Sequence, residues 1–164
     1  MRLLWTKSNK PLSLIIRAIT GEPSSHFSFV FESAAKGLMF ESNLLGTHPA
    51  FLQTSLKTHT IVHEKNIPMT VEREDLIWDL VVQKYDGKGY DFLGALYLGL
   101  CKLGQRLFNF PMPTKNKWGQ PDKFFCNEVY DVFNKIPGMP TIDVMSGMDT
   151  PEDVWKHLEH INFN

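Results

Sequence analysis

The segment FFCNEVY, residues 124–130, holds the residue with the most reactive side chain, Cys126. Apolar residues recur at helical spacing from Phe125 to Ile136, and Asp122 is a suitable N-cap, so the sequence predicts a helix that carries the cysteine in its first or second turn. Free backbone N–H groups and the helix dipole stabilise a thiolate at such a position, and the same amides can bind a developing oxyanion. The pattern indicates a nucleophile, and a cysteine buried in the core is the alternative.

A cysteine nucleophile needs a histidine within hydrogen-bond reach, and the histidine needs a third group that orients it. The stretch SHFSFVF, residues 25–31, alternates phenylalanine with small or polar residues and predicts a strand with one apolar face. His26 lies opposite in phase to the phenylalanines and is the best placed of the six histidines. The next predicted strand, GLMFES, carries Glu41. A hairpin centred between Ala34 and Ala35 puts both side chains on one face of the sheet, where the carboxylate can hold the imidazole in one tautomer.

The other predicted elements surround this hairpin. A third strand, THTIVH, completes an antiparallel meander with it. Leucines and phenylalanines at helical spacing in FLGALYLGLCKLGQRLF predict a helix buried in the core, with lipid contact as the alternative. The remaining predicted segments are a strand over Leu12–Arg17, a helix capped by Thr70 that ends near Lys84, a loop over residues 109–121, and a final helix from Thr150 to about His160 with Pro151 at its first position.

The order of the segments SSHFSFVF, FES, GYDFLGALYLGL, FFCNEVY and DTPEDVW resembles the circularly permuted NlpC-type papain-like hydrolases, whose relatives include the lecithin:retinol acyltransferase group. In that family a histidine strand and an acidic or polar third residue precede the cysteine helix, which reverses the order of ordinary papain-like enzymes. The resemblance covers roughly residues 10 to 158. It implies an α+β, permuted papain-like fold in which an antiparallel sheet packs against helices.

The resemblance also implies a role for each residue of the candidate site. Cys126 is the nucleophile, with its backbone N–H in the oxyanion hole, His26 is the general base and acid, and Glu41 orients the imidazole. Tyr90, in the GYDF stretch, lines the site. Asn127 stands where the family often has serine, and it is a candidate for substrate contact. No metal and no organic cofactor is required.

The implied function is that of a cysteine hydrolase, a peptidase or amidase that works through a thioester, with a cell-wall peptide as the leading substrate. A lipid-directed thioesterase or acyltransferase is the enzymatic alternative. A binding or structural module of the same fold, without catalysis, is the third hypothesis. The expected partners are therefore peptide or acyl substrates.

Composition limits the other classes of function. A chain of 164 residues that is 43% hydrophobic can bury one sizeable core, so we expect a single domain over residues 1–164. Lys and Arg total 17 against 18 for Asp and Glu, and no run of like charges indicates nucleic acid or a polybasic anchor as a partner. Arg17 interrupts the apolar stretch Leu12–Ile19, which is too short to span a bilayer, so no integral membrane segment is expected.

Cysteine and histidine usage leads to two further expectations. Two cysteines, Cys101 and Cys126, make no disulfide framework, and a reducing compartment is the simpler reading. Without a recognisable signal peptide, cytoplasmic residence is the default, with non-classical export or virion association left open. Metal binding by the pairs His59 and His63 or His157 and His160 is the weaker alternative, because THTIVH is predicted as a strand and the final helix has no third ligand nearby.

Overall fold

The structure, a computed structural model, describes residues 1–32, 37–137, 139 and 147–163. Its strands are β1 (Arg2–Ser8), β2 (His26–Phe31), β3 (Leu38–Asn43), β4 (Gly46–Phe51) and β5 (His59–Asn66). Its helices are α1 (Pro11–Thr20), α2 (Leu52–Leu56), α3 (Val71–Tyr85), α4 (Phe92–Phe108) and α5 (Pro151–Leu158), with a 3-10 helix, Glu128–Lys135, between α4 and α5. Helices and an antiparallel sheet occur together, which confirms the predicted α+β class.

The sheet has five strands in the order β4-β3-β2-β1-β5, and every neighbouring pair is antiparallel. β2 and β3 pair as predicted, with Ser28 opposite Glu41. This is the register of a hairpin centred between Ala34 and Ala35, although residues 33–36 lie outside the described residues. The predicted meander is wrong in its third strand, because β5 pairs with β1 and β4 takes the place beside β3.

Strands β1 and β4 were not predicted, and each lacks the usual strand signal for a physical reason. Most positions of β1 are buried, so RLLWTKS has no clean alternation of apolar and polar residues. β4 contains Pro49, which normally argues against a strand because it cannot donate to the ladder. β4 lies at the edge of the sheet, where a missing N–H is tolerated.

The predicted strand over Leu12–Arg17 is wrong, because these residues belong to helix α1. The helix has Pro11 in its first turn and ends at Gly21, which adopts a left-handed φ of 74°. Proline at a helix start and glycine just past its end are helix signals, and here they outweigh the strand preference of Ile15 and Ile16.

The main core lies between the sheet and α3, the 3-10 helix and α5. The phenylalanine face of β2 packs into it, as the alternating pattern predicts, and Phe29 stacks on Phe133 with ring centroids 5.0 Å apart. Trp5 Nε1 donates a hydrogen bond of 2.6 Å to the carbonyl of Pro151. That buried bond ties β1 to the start of α5.

Two helices begin where their predicted caps lie. The Thr70 side chain accepts a hydrogen bond from the backbone N–H of Arg73 at the start of α3. Thr150 and Asp153 form a reciprocal capping box at the start of α5, in which each side chain accepts from the other's backbone N–H. α5 ends at Leu158, just before the predicted end.

Helix α4 covers the predicted residues, but its predicted burial in the core is wrong. Leu100 is 48% exposed, and Leu93, Leu96 and Leu107 are exposed as well. α1 is its principal helical neighbour, so one side of α4 is covered and the opposite stripe faces outward. Within the described residues, no helix has both the length and the hydropathy that crossing a bilayer requires.

We expect Thr150→Ala to lower the free energy of unfolding by about 1 kcal/mol, because the hydroxyl that caps the first turn of α5 is lost. Urea unfolding followed by circular dichroism measures this change. Thr114→Ala, at an exposed loop position, is the control and should leave the transition midpoint in place. Equal midpoints for the two variants would contradict a stabilising capping box.

Candidate active site

The predicted base and its orienting residue meet at one end of the sheet. His26 is the first residue of β2, and Glu41 pairs with Ser28, so the two side chains are diagonal neighbours on one face. His26 Nε2 lies 3.1 Å from Glu41 Oε2. The two side chains are only 13% and 8% exposed. The contact is therefore largely shielded from water.

The carboxylate of Glu41 has partners beyond His26. Asn43 Nδ2 donates to Glu41 Oε1 at 2.9 Å, and His48 Nε2 is 3.8 Å from the same oxygen. Burial on its own would raise the pKa of Glu41, but the hydrogen bond and charge of His26, together with the bond from Asn43, lower this pKa to about 2. The carboxylate stays ionised at neutral pH and can keep a proton on Nε2 of the imidazole.

The His26 ring also interacts with Cys126. Burial on its own would lower the pKa of His26, but hydrogen bonding to Cys126 and Glu41 and the charges of both residues raise it to about 10. Since Nε2 is engaged with Glu41, Nδ1 is the ring nitrogen left for the sulfur. An imidazolium between a carboxylate and a cysteine sulfur is the arrangement that a thiolate nucleophile requires.

Cys126 precedes the helix instead of lying in its first turns, which corrects the prediction. The 3-10 helix begins at Glu128, and the predicted cap, Asp122, lies well outside it. The backbone N–H of Phe124 donates to the carbonyl of Gly89 at 3.0 Å. The residues just before the cysteine are thus paired with another segment of the chain, and a helix cannot form through them.

Cys126 is 5% exposed and touches the main core, but its side chain also lines a cavity of about 300 Å³. Asn127 lines the same cavity, and its Oδ1 is 3.9 Å from the cysteine Sγ. Asn127 Nδ2 donates to the carbonyl of Asp149. The residue predicted to contact substrate therefore also links the thiol to the segment that leads into α5.

Two cavities meet at this site. One, of about 530 Å³, is lined by the ionisable side chains His26, Glu41 and His59 together with apolar residues. The other, called here the apolar cavity, reaches Cys126 and is walled mainly by hydrocarbon side chains of α1 and α4. Tyr90 lines both cavities. The ionisable side chains of the site therefore border one cavity, and the sulfur borders the apolar cavity.

Tyr90 lies at the junction of the two cavities, and its role in lining a substrate site stays a prediction. Loss of solvation and the negative charges of Cys126, Asp91 and Glu128 raise the pKa of Tyr90 above its usual value. Its hydroxyl stays protonated at neutral pH. A protonated phenol at this position can donate a hydrogen bond to a carbonyl oxygen.

Three polar residues near His26 and Glu41 were not predicted from the sequence. Asn43 follows Glu41 by two positions in β3, so the period of a strand would have placed it on the same face. His48 lies directly opposite Glu41 on the unpredicted strand β4, and the ring of His59 lies 5.9 Å from that of His26. Neither histidine could be placed without the strand pairing.

The second histidine of β5, His63, is held by contacts with residues of α5. His63 Nε2 is 3.1 Å from Glu152 Oε1, and its ring stacks on Trp155 with centroids 4.4 Å apart. The buried hydroxyl of Ser24 donates to the second oxygen of Glu152. Across residues 1–32, 37–137, 139 and 147–163, no group of three or more His, Cys, Asp or Glu residues is arranged to hold a metal ion.

Comparison with family models, with curated proteins and with solved structures found no match to this chain. The α+β class is visible in the structure, whereas the permuted papain-like assignment stays a prediction based on the order of the motifs. The catalytic roles of His26, Glu41 and Cys126 stay predictions as well.

We expect Glu41→Gln to lower the pKa of His26, because the amide keeps the shape of the side chain and removes its charge. His26 contributes its full stabilisation of the folded state below 6.5, the pKa of its unfolded form, and this contribution is lost as the pH rises through about 10, its folded pKa. Glu41 contributes its full stabilisation above 4.5, the pKa of its unfolded form, and this contribution is lost as the pH falls through about 2, its folded pKa. The variant's loss of stability should therefore be largest between pH 4.5 and 6.5.

Urea unfolding across pH measures the stability difference, and histidine ring resonances in NMR spectra report the titration of His26. The resonances of His157, which is exposed on α5, serve as the internal reference. A stability difference that does not change with pH would show that the two residues are not an ion pair.

Proposed function

We propose that this chain is a cysteine-dependent acyl hydrolase or acyltransferase, with Cys126 as nucleophile, His26 as general base and acid, and Glu41 as the orienting residue. The observation that carries the proposal is the buried contact of 3.1 Å between His26 and Glu41, at the place where the cavity lined by these two residues meets the cavity lined by Cys126. Buried ionisable groups are costly to maintain and cluster at functional sites, which supports a catalytic role over a purely structural one.

The reaction has two halves. The Cys126 sulfur bonds to the carbonyl carbon of an ester or amide, and His26, which holds the thiol proton, passes it to the leaving oxygen or nitrogen as the old bond breaks. The acyl group is then a thioester on the sulfur. Water or another acceptor gives a proton to His26 as it attacks the thioester carbon, and the carbon–sulfur bond breaks, which leaves the sulfur beside the protonated imidazole as at the start.

The protonation states favour this sequence. The raised pKa of His26 keeps the ring protonated at neutral pH, so the ring can give a proton to the leaving group. The lowered pKa of Glu41 keeps its charge in place throughout the cycle. Each half-reaction then needs only one proton transfer, between His26 and the reacting atoms.

The oxyanion that forms at the carbonyl needs hydrogen-bond donors. We assign this role to the backbone N–H of Cys126 and to the protonated hydroxyl of Tyr90, which borders both cavities. Neither donor depends on a helix N-terminus, since the cysteine lies before the 3-10 helix.

The walls of the apolar cavity favour an acyl chain over a cell-wall peptide. Leu12 and Ile16 of α1 and Ala95 and Leu98 of α4 line the space that Cys126 borders. Burial of hydrocarbon against these walls stabilises an acyl chain by about 0.8 kcal/mol per methylene, whereas a hydrophilic stem peptide gains little there. We therefore place the lipid-directed thioesterase or acyltransferase ahead of the peptidase.

We expect iodoacetamide to label Cys126 at least about tenfold faster than Cys101, because a histidine-paired thiolate reacts faster than a neutral thiol. Exposure alone would give the opposite order, since Cys101 is the more exposed cysteine. Peptide mass spectrometry over a time course measures both rates. His26→Ala should slow the labelling of Cys126 and leave that of Cys101 unchanged.

If Cys101 reacts faster in the wild-type protein, the thiol of Cys126 is not activated, and the structural-module hypothesis is favoured. Circular dichroism of His26→Ala checks that the variant is folded. His160→Ala, at an exposed position near the C-terminus, is the control for loss of a histidine elsewhere and should not alter either rate.

We expect Ala95→Leu to reduce kcat/KM for an octanoyl ester by roughly tenfold and to have little effect on the acetyl ester, because the added hydrocarbon fills the apolar cavity. Nitrophenyl esters of the two acids measure this difference. Ala18→Leu adds the same group at an exposed position of α1 and is the control. Equal losses for both esters would contradict an acyl-binding role for the cavity.

A further inference from the structure

The outer surface of α1 and α4 is unusually apolar, and we name it the α1–α4 face. Ile15 of α1 and Phe92 and Leu96 of α4 are exposed and also line the apolar cavity, so the exposed sides of the two helices meet at the cavity mouth. Leu100 and Leu107 continue the stripe of Leu96 along α4 at helical spacing. A contiguous apolar surface of this kind marks an interaction site.

Positive charge accompanies this face. Residues 7–21 and 92–121 contain seven of the 17 Lys and Arg residues and none of the 18 Asp and Glu residues. Asp153 and Glu22, from outside these segments, pair with one of the seven, Lys102. The two segments that contain α1 and α4 are therefore net cationic, with Glu22, Asp91 and Asp122 directly flanking them.

Exposed aromatic residues lie at the end of α4 and in the loop that follows it. Phe108 and Phe110 stack with centroids 5.6 Å apart and are both exposed. Trp118 packs against Tyr97 of α4, which brings the loop of residues 109–121 onto this helix. The loop contributes Lys115 and Lys117 on either side of Asn116, next to the tryptophan. Aromatic rings beside lysines are typical of segments that lie at a membrane–water interface.

We infer that the α1–α4 face docks on an anionic lipid bilayer, with α4 lying in the plane of the interface and its leucine stripe among the acyl chains. A second copy of the chain fits this surface less well, because a symmetric dimer would bring two cationic faces together. An anionic bilayer complements both kinds of residue, because its acyl chains take up the leucines and its headgroups attract the lysines.

The docked orientation places the mouth of the apolar cavity against the bilayer. A lipid acyl chain could then pass from the membrane toward Cys126 without crossing water. This consequence rests on the proposed function, whereas the docking itself does not.

The test is co-sedimentation of the full chain with vesicles of phosphatidylcholine and with vesicles of equal parts phosphatidylcholine and phosphatidylglycerol. We expect binding to the anionic vesicles that weakens with added salt. Leu100→Asp should weaken it about tenfold, since Leu100 lies on the stripe but outside the cavity. Leu76→Asp on α3, where the leucine is 52% exposed against 48% for Leu100, is the matched control and should bind like the wild type.

A paired change of Lys115→Glu and Lys117→Glu should weaken binding to the anionic vesicles only. Absence of wild-type binding, or equal binding by the two leucine variants, would overturn the inference. So would a dimer in sedimentation velocity that Leu100→Asp dissociates while vesicles remain unbound.

Cys126→Ser separates this inference from the catalytic one. We expect it to bind anionic vesicles as the wild type does, because the sulfur lies at the base of the cavity and outside the docking surface. Vesicle binding by a wild-type protein that has no esterase activity, or full esterase activity in Cys126→Ser, would contradict the proposed function and leave the docking surface standing.

Discussion

The buried contact between His26 and Glu41 is the constraint on which the rest of the site depends. A charge taken out of water is unfavourable unless all its hydrogen-bonding groups are satisfied. Asn43 and His48 complete the coordination of the carboxylate, and Cys126 provides the second partner of the imidazole. The central strands of the sheet hold this arrangement, and their backbone ladder leaves it little freedom to rearrange.

Separate parts of the fold supply the proposed catalytic groups and the cavity walls. His26 and Glu41 are on paired strands, whereas most of the apolar cavity is built by α1 and α4, which pack on each other at the side of the molecule. A sheet gives the precise positions that proton transfer needs. Two helices with an exposed apolar side are better suited to take up a flexible hydrocarbon chain and to contact the surface from which it comes.

Local signals predicted the elements that depend on neighbouring residues. The alternation of SHFSFVF, the cap at Thr70 and the capping box at Thr150 all correspond to observed features. Failures occurred where tertiary context overrides local pattern. Most positions of β1 are buried, so it shows no alternation. Pro49 is accepted in β4 because β4 is an edge strand. The isoleucines of α1 favour a strand when considered in isolation.

The hairpin register, and with it the approach of Glu41 to His26, could be read from the amino-acid order, because strand parity is a short-range rule. The meeting of Cys126 with this pair could not, since it requires Phe124 to pair with Gly89 and the chain to turn before the 3-10 helix. Nor could the α1–α4 face, which exists because two distant segments pack side by side. Contacts between distant residues decide these features, and no local pattern encodes them.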